Sequence, residues 1–170
     1  MSNLIGQEEV YRILEELSIP FDYYIHPPTP TIEEARQYWR DETATYCKNL
    51  FFRNHKGNKH YLVVLECSRA LDIHDLEKRL KQGKISFASP QRMEKYLGLL
   101  PGSVSPFGLV NDKEKHVHVF FDENLQHAQK ISFHPNDNQV SLVIPANEFW
   151  RYMDWTQNNY EFIRLYDVDE

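Results

Sequence analysis

Residues 43–67, TATYCKNLFFRNHKGNKHYLVVLEC, contain two runs rich in apolar and aromatic residues, joined by a short polar connection. The runs cover residues 43–53 and 60–67, and the connection, NHKGN, contains a glycine. Valine, tyrosine and phenylalanine fit the pleated, half-buried surface of a strand, and a polar connection with glycine favours a turn. The stretch therefore predicts a hairpin of two long strands.

Helices are predicted on both sides of this hairpin, from apolar spacing and from capping residues. A Thr-x-x-Glu capping pattern begins at Thr31. Asp72 is suited to cap a helix, and Pro90 and Gly98 are suited to begin and end one. The predicted helices cover residues 7–17, 31–40, 73–81, 90–97 and 147–154.

Short apolar runs predict the remaining strands, and a proline-rich stretch at 26–30 predicts a stiff loop. Asn, Asp and Pro separate the later runs at hairpin-like spacing. We therefore expect a single α/β domain over residues 1–170, with a mixed, largely antiparallel sheet flanked by helices. The further predicted strands cover residues 23–25, 109–110, 117–121, 130–133, 139–144 and 162–165.

Composition restricts the compartment and the partners. The chain has 170 residues, a formal net charge of −6 and two cysteines, which are too few for a disulfide framework. No secretory signal and no apolar run of membrane-spanning length is found, so we expect a cytoplasmic protein. The negative charge argues against broad nucleic-acid binding, and any RNA contact is expected to be local.

Lys48 lies inside the first predicted strand of the hairpin, between Tyr46 and Leu50. Because neighbouring side chains of a strand alternate, Cys47 and Asn49 should point opposite to Lys48. A solvent-facing lysine is one interpretation. The other is a lysine in a cleft, where its ammonium binds a phosphate or the carbonyl of an ester. Cys47 is expected to be a buried strand cysteine, since nothing in the sequence activates it.

A loop over residues 97–108 contains three glycines and two prolines. It forms a turn, or it presents backbone N–H and C=O groups to a ligand at close range. His134, at a predicted strand end, is either a polar cap or a group for proton transfer. His116 and His118 have a chelating spacing on one predicted strand, but without a recognisable third ligand we expect no metal site.

These features together resemble the YbaK/prolyl-tRNA-synthetase-associated domain family, and within it most of all the ProX-like alanyl-tRNA(Pro) deacylases. The resemblance rests on TYCKNLFF at 45–52, GSVSPFGLVND at 102–112 and SFHP at 132–135. It extends over nearly the whole chain. It implies hydrolysis in trans of the ester that joins alanine to the 3′ end of tRNA(Pro), without a cofactor or a metal.

The resemblance also implies roles for individual residues and partners. Lys48 is similar to the family's essential lysine, which engages the terminal adenosine and its phosphate. Asn49 and His134 match active-site positions. The expected partners are the acceptor end of aminoacyl-tRNA(Pro) and prolyl-tRNA synthetase, with no membrane and no DNA. The substrate-binding residues implied are Gly102, Ser103, Val104, Ser105 and Pro106, whose backbone lies against the ester, and Ile32 in the pocket lining.

Three alternative functions remain open from the sequence. A cysteinyl-tRNA(Pro) deacylase of the YbaK type would use the same lysine. A non-catalytic module would bind aminoacyl-tRNA or a synthetase with the Lys48 cleft. A structural or regulatory domain would use the long hairpin as a partner surface.

Overall fold

Helix boundaries follow the capping residues of the sequence. In the computed structural model, which describes residues 7–27, 43–133 and 139–167, the side chain of Asp72 accepts a hydrogen bond from the N–H of His74, and Ser89 accepts one from Arg92. The described helices are α1 (Glu8–Glu16), α2 (Ile73–Leu80), α3 (Pro90–Leu97) and α4 (Ala146–Thr156), with 3₁₀ helices at Pro106–Asn111 and Glu123–His127. None of these helices is long and apolar enough to cross a membrane.

The strands of the described part form one mixed sheet. They are β1 (Asp22–Ile25), β2 (Ala44–Asn54), β3 (His60–Glu66), β4 (Ile85–Phe87), β5 (His118–Asp122), β6 (Lys130–Phe133), β7 (Val140–Pro145) and β8 (Tyr160–Ile163). Their order is β1-β7-β6-β2-β3-β5-β8, and β4 pairs with β2 beside this path. Pairing is antiparallel for β1–β7, β2–β3, β2–β4 and β6–β7, and parallel for β2–β6, β3–β5 and β5–β8.

The two faces of the sheet bury separate apolar clusters. On the first face, α1, α4 and the 3₁₀ helix Pro106–Asn111 cover a cluster that contains Phe51 and Val64. On the second face, α2 covers a smaller cluster that contains Phe52 and Leu65. Phe51 and Phe52 are neighbours in β2 and are both buried. Strand alternation therefore makes β2 a wall of both clusters.

The fold confirms the predicted hairpin, the predicted mixed sheet and four of the five predicted helices. The predicted strand at 109–110 is wrong. Ser105 accepts a hydrogen bond from the N–H of Phe107, and Pro106 begins a 3₁₀ helix that continues to Asn111. A proline in the first turn fixes φ for a helical turn and has no N–H to donate to a strand. The buried Phe107 and Leu109 thus pack from a helical turn instead of a strand.

Two further differences concern short or undescribed segments. β4, only three residues long, was not predicted from the sequence because so short a run shows no clear alternation. The predicted helix at 31–40 lies outside the described residues, as does most of the proline-rich stretch at 26–30. His26, which begins that stretch, is buried, and its Nε2 shares a hydrogen bond of 3.0 Å with the hydroxyl of Ser141.

Candidate active site

One edge of β2 changes partners along its length. β3 occupies the opposite edge, over residues 47–53. On the edge away from β3, β6 pairs with residues 44–46 and β4 pairs with residues 52–54. Among the described strands, none pairs with residues 48–50 on that edge. We call residues 48–50 of β2, with the edge that faces away from β3, the β2 notch; it is defined from the described residues alone.

The backbone of Asn49 faces the β2 notch, and its side chain projects to the first face of the sheet. The carbonyl of Phe51 accepts from Ala88 on the notch edge, whereas the carbonyl of Tyr46 accepts from Cys67 on the β3 edge. Backbone groups of alternate residues point to the same edge, so the N–H and C=O of Asn49 point to the notch. Its side-chain Oδ1 is buried and, in the described part of the chain, has no hydrogen-bond partner.

A buried polar atom without a partner costs about 1–3 kcal/mol, so such atoms are rare outside functional sites. Asn49 can accept a hydrogen bond through its side chain, and its strand-edge N–H can donate one. Together these groups suit a ligand that carries both a hydroxyl or amine donor and a carbonyl or phosphate acceptor. Tyr61, Asp122 and Asn158 also carry such atoms in the described residues, but Asn49 alone of the four belongs to the β2 notch, which makes the notch the candidate binding site.

Lys48 lies on the other face of the sheet, as alternation predicted. It pairs with Leu65 of the second cluster, whereas Asn49 pairs with Val64 of the first cluster. The Lys48 side chain is partly buried. Within residues 7–27, 43–133 and 139–167, it forms no ion pair or hydrogen bond. Among the described residues its ammonium has no partner, and the side chains of Lys48 and Asn49 lie on opposite faces of the sheet.

The loop between α3 and the 3₁₀ helix Pro106–Asn111 lies on the first face. Val104 packs against the first cluster, which Cys47 also contacts. Gly102 has a φ of 90°, which glycine adopts without strain, and the N–H of Ser103 donates to the carbonyl of Leu100. Ser105 and Pro106 are buried. The structure therefore brings the side of β2 that carries Asn49 and the predicted loop to the same face.

Two aromatic side chains hold this loop in place. The hydroxyl of Tyr152 donates a hydrogen bond of 2.9 Å to the carbonyl of Pro106. The ring of Phe107 is fully buried against Phe133, Phe149 and Tyr152. Sequence analysis missed both positioning residues, since an aromatic residue at helical spacing signals only a core position. The C-terminal end of the loop is thus anchored in the packed core, which favours a preorganised loop backbone.

Two predicted site residues cannot be located. His134 and Ile32 both lie outside the described residues. The described chain reaches Phe133, directly before His134, and Phe133 packs in the first cluster at an edge-to-face angle to Phe107. Among the described site residues, the loop of Gly102, Ser103, Val104, Ser105 and Pro106 lies on the same face of the sheet as the Asn49 side chain, and its Val104 packs against the cluster of that face. The structure places Lys48 on the opposite face.

Cys47 is unsuited to nucleophilic chemistry. Burial raises the pKa of its thiol well above the ordinary value, and the neighbouring Cys67, Glu66 and Asp122 raise it further. A thiol with a raised pKa stays protonated near neutral pH, whereas the thiolate is the nucleophile. The Cys47 Sγ donates a weak hydrogen bond to the carbonyl of Thr45. Cys47 is thus a packing residue of the first face, as the sequence predicted.

The two histidines with chelating spacing have separate partners. His118 lies in β5 and its Nε2 pairs with Glu161 at 3.1 Å, whereas His116 precedes the strand, so the expected placement of both on one strand is wrong. His116 instead stacks on Tyr96 and contacts His60. In the described part of the chain, no group of three or more His, Cys, Asp or Glu side chains could hold a metal ion.

The buried His60 is held in one neutral form. Arg92 Nη1 donates to His60 Nε2 at 3.1 Å, which leaves His60 Nδ1–H to donate to His116 Nε2 at 2.9 Å. Burial and, to a smaller extent, electrostatic interactions with His116, Arg92, Arg53 and Lys95 together lower the pKa of His60 to about 4. If His60 were protonated at Nε2, that N–H would face the Arg92 guanidinium, which donates hydrogen bonds and cannot accept one.

We expect stability to fall on acidification because of His60. In the unfolded chain a histidine titrates near pH 6.5, so below about pH 6.5 the unfolded state binds a proton that the folded state excludes until about pH 4. The stability present at neutral pH is lost in that window, by about 2 kcal/mol between about pH 7.5 and about pH 5. Urea denaturation at the two pH values measures it.

His60→Gln keeps a donor and an acceptor but cannot titrate. Its free energy of unfolding should therefore fall by about 2 kcal/mol less than that of the wild type between about pH 7.5 and about pH 5. His74→Gln is the matched control, since the His74 side chain is 81% exposed. It should keep the pH dependence of the wild type. Equal pH dependence in His60→Gln and the wild type would show that His60 does not cause the loss.

The fold defines the class of protein: an α/β domain with a mixed sheet flanked by helices, in which the raised pKa of the Cys47 thiol does not suit a cysteine nucleophile. Residues 26–152 match the family model of the aminoacyl-tRNA editing domain. The chain belongs to this aminoacyl-tRNA editing domain family. It is accordingly an aminoacyl-tRNA deacylase, a hydrolase of the ester between an amino acid and tRNA.

Curated relatives and solved structures agree with this membership. The prolyl-tRNA editing protein ProX of Acetoanaerobium sticklandii is 36% identical over 160 residues, which cover 94% of this chain and 98% of that protein. A prolyl-tRNA synthetase associated domain-containing protein 1 of Danio rerio is 27% identical, over 89% of this chain and 83% of that protein.

Two solved structures share the fold at lower identity. The hypothetical protein APE2540 has a TM-score of 0.69 at 18% identity, over 92% of this chain and 99% of that chain. A candidate trans-editing enzyme for prolyl tRNA synthetase has a TM-score of 0.68 at 20% identity, over 93% and 98%. At these identities the likeness concerns the fold alone.

Proposed function

We propose that the protein acts in trans on mischarged tRNA(Pro) and hydrolyses alanyl-tRNA(Pro). The observation that carries this proposal is the buried Oδ1 of Asn49, which has no hydrogen-bond partner among the described residues and lies on the face of the sheet against which Val104 packs. The similarity to ProX over nearly the full length of both chains supports prolyl-tRNA as the kind of tRNA that is edited.

In this proposal, the ester lies in the β2 notch between Lys48 and the loop. The ammonium of Lys48 binds the terminal adenosine's phosphate or the ester carbonyl from the second face. Backbone amides near Gly102 and the N–H of Asn49 donate to the oxygen that becomes negative as water attacks. Donors placed at the developing oxyanion stabilise the transition state more than the ground state.

The reaction needs no covalent intermediate. Water adds to the ester carbonyl, and the C–O bond to the tRNA ribose then breaks, which releases alanine and tRNA with a free hydroxyl. An aminoacyl ester is labile, so orientation of the water and the carbonyl supplies much of the acceleration. The tRNA's own ribose hydroxyl is a candidate to assist the water, and His134, which matches a family active-site position, is a second candidate for proton transfer.

Discrimination in this proposal depends on size. A synthetase pocket built for proline cannot strongly exclude a smaller amino acid, because one methylene changes binding by only about 1–3 kcal/mol. A second and smaller pocket hydrolyses what the synthetase accepts by error. We propose that the apolar pocket, with Ile32 in its lining, accepts alanine and excludes proline.

A panel of charged tRNA(Pro) tests the proposal. Purified protein should release alanine from tRNA(Pro) at a rate well above spontaneous hydrolysis, and it should leave prolyl-tRNA(Pro) intact. Release of labelled amino acid, followed by acid precipitation, measures both rates. Preferred hydrolysis of cysteinyl-tRNA(Pro) would contradict the alanine assignment and identify the YbaK type of specificity. Binding without hydrolysis of any member would contradict the enzymatic role itself.

A further inference from the structure

Cations converge where the β2–β3 hairpin turns beside α3. The hairpin contributes three of them and α3 contributes two: Arg53, Lys56, Lys59, Arg92 and Lys95. Arg92 Nη1 donates to the carbonyl of Gly57 at 2.9 Å, which joins α3 to the turn. A Cβ added to Gly57 would lie 2.8 Å from Arg92 and 3.1 Å from Arg53. The two guanidinium groups therefore lie over the same residue. Arg53, Arg92 and Lys95 lie around His60 on the first face, whereas Lys56 and Lys59 lie in the hairpin turn, where alternation puts Lys59 on the side of Tyr61. We call the surface that these five cations form around the end of the hairpin the basic face.

No described carboxylate neutralises the basic face. Other arginines are paired: Arg12 with Glu9 and Glu16, Arg79 with Asp75 and Asp167, and Arg151 with Glu148. Within the described ranges, by contrast, none of the five cations of the basic face forms an ion pair. Glu94 follows Arg92 by two positions in α3, and residues at that spacing do not face each other.

This local concentration of positive charge contrasts with the formal net charge of the whole chain, which is −6. Like charges held together without counter-charges repel each other, and the arrangement suits a polyanion that neutralises them. An RNA backbone does so with successive phosphates, and arginine and lysine are the side chains that contact phosphate. The alternative anion is an acidic protein surface, and the experiment below distinguishes the two.

The basic face lies along the elements that form the β2 notch. Arg53 follows Asn49 by four residues in β2, about 13 Å along the strand, and alternation puts both on the first face. α3 carries Arg92 and Lys95 and leads through Gly98 into the loop of residues 102–106. An RNA whose 3′ end enters the β2 notch therefore has the basic face within reach of its next nucleotides.

We propose that the basic face binds phosphates of the tRNA acceptor stem, next to the 3′ end that the β2 notch receives. This inference rests on the proposed function, since it takes aminoacyl-tRNA as the substrate. It explains how a chain of negative net charge binds RNA: the contact is confined to a few cations at one end. Affinity should accordingly be modest and should fall steeply with salt.

The test compares Lys56→Gln/Lys59→Gln with a matched control, Lys78→Gln/Lys81→Gln, which removes two exposed lysines at α2. Fluorescence anisotropy with uncharged tRNA(Pro) gives the dissociation constant at several salt concentrations. Each phosphate contact contributes about 0.7–0.9 to the slope of log K against log salt. Between about 50 and about 200 mM salt, the wild type should thus lose about tenfold more affinity than the basic-face variant. The control should follow the wild type.

Three results would overturn the proposal. The first is an unchanged salt slope in Lys56→Gln/Lys59→Gln, and the second is an equal change of slope in the control. The third uses polyglutamate as a second probe: if the variant loses as much affinity for polyglutamate as for tRNA, the basic face binds an acidic protein partner. The proposed function is judged separately. Hydrolysis of alanyl-tRNA(Pro) with an unchanged slope refutes the basic face alone. If the salt slope of tRNA binding depends on Lys56 and Lys59 but the protein hydrolyses no alanyl-tRNA(Pro), the proposed function alone is refuted. Thermal melting of both variants confirms that they are folded.

Discussion

Lys48→Ala should lower the rate of alanyl-tRNA(Pro) deacylation by about 100- to 1,000-fold while the fold stays intact. Loss of one preorganised donor to a developing oxyanion costs about 2.7–4 kcal/mol of transition-state stabilisation. In the described part of the chain, the side chain of Lys48 forms no ion pair or hydrogen bond, so its removal leaves no buried partner unsatisfied. Single-turnover deacylation, with circular dichroism to check the fold, measures the effect.

Two further variants separate the function of Lys48 from a general effect of charge. Lys78→Ala removes an exposed lysine of α2 and should leave the rate within about twofold, because a surface substitution away from the site changes little. Lys48→Arg keeps the charge but replaces a compact ammonium by a planar fork, and it should recover only part of the rate. Full turnover by Lys48→Ala would refute the assigned role.

Phe107→Ala should destabilise the protein by about 3–5 kcal/mol, the usual cost of removing a buried phenylalanine from a packed core. The side chain is fully buried, and its ring packs against Phe133, Phe149 and Tyr152. For a chain of this length, such a loss lowers Tm by roughly 10 °C or more. Urea denaturation gives the free energy of unfolding directly.

The same change should also impair deacylation at temperatures where the variant is still folded. Phe107 directly follows Pro106, the end of the loop that we place against the ester, so a cavity there loosens the loop. Phe87→Ala is the matched control, because Phe87 is 61% exposed and contacts chiefly Phe52. It should cost less than about 1.5 kcal/mol. A loss below about 1 kcal/mol in Phe107→Ala would show that the loop does not depend on this packing.

Local signals predicted most of the elements. Asp72, Ser89 and Gly98 cap helices through the backbone groups of nearby residues. The helices that begin or end at these residues can therefore be predicted from the sequence. The hairpin is equally local, because a short polar turn joins its strands. The parallel pairings of β3 with β5 and of β2 with β6 join segments far apart in the chain, and no periodicity within either segment specifies them.

The candidate site was predicted only in part for the same reason. The alternation of β2 correctly placed Lys48 and Asn49 on opposite faces. The β2 notch lies between the residues of β2 that pair with β6 and those that pair with β4, and only the assembled sheet shows this arrangement. The buried Oδ1 of Asn49 and the basic face likewise depend on contacts between distant segments. The roles of His134 and Ile32 remain predictions from the resemblance.

The most direct test of the account maps where an amide-linked, non-hydrolysable analogue of alanyl-adenosine binds, by ¹H–¹⁵N spectra of the labelled protein. The account predicts that the amide signals of Lys48, Asn49 and residues 102–105 shift together as the analogue is added. Signals of α2, such as that of Leu76, should stay in place. Shifts confined to other parts of the chain, with Asn49 and the loop unaffected, would contradict the claim that the β2 notch receives the aminoacyl ester.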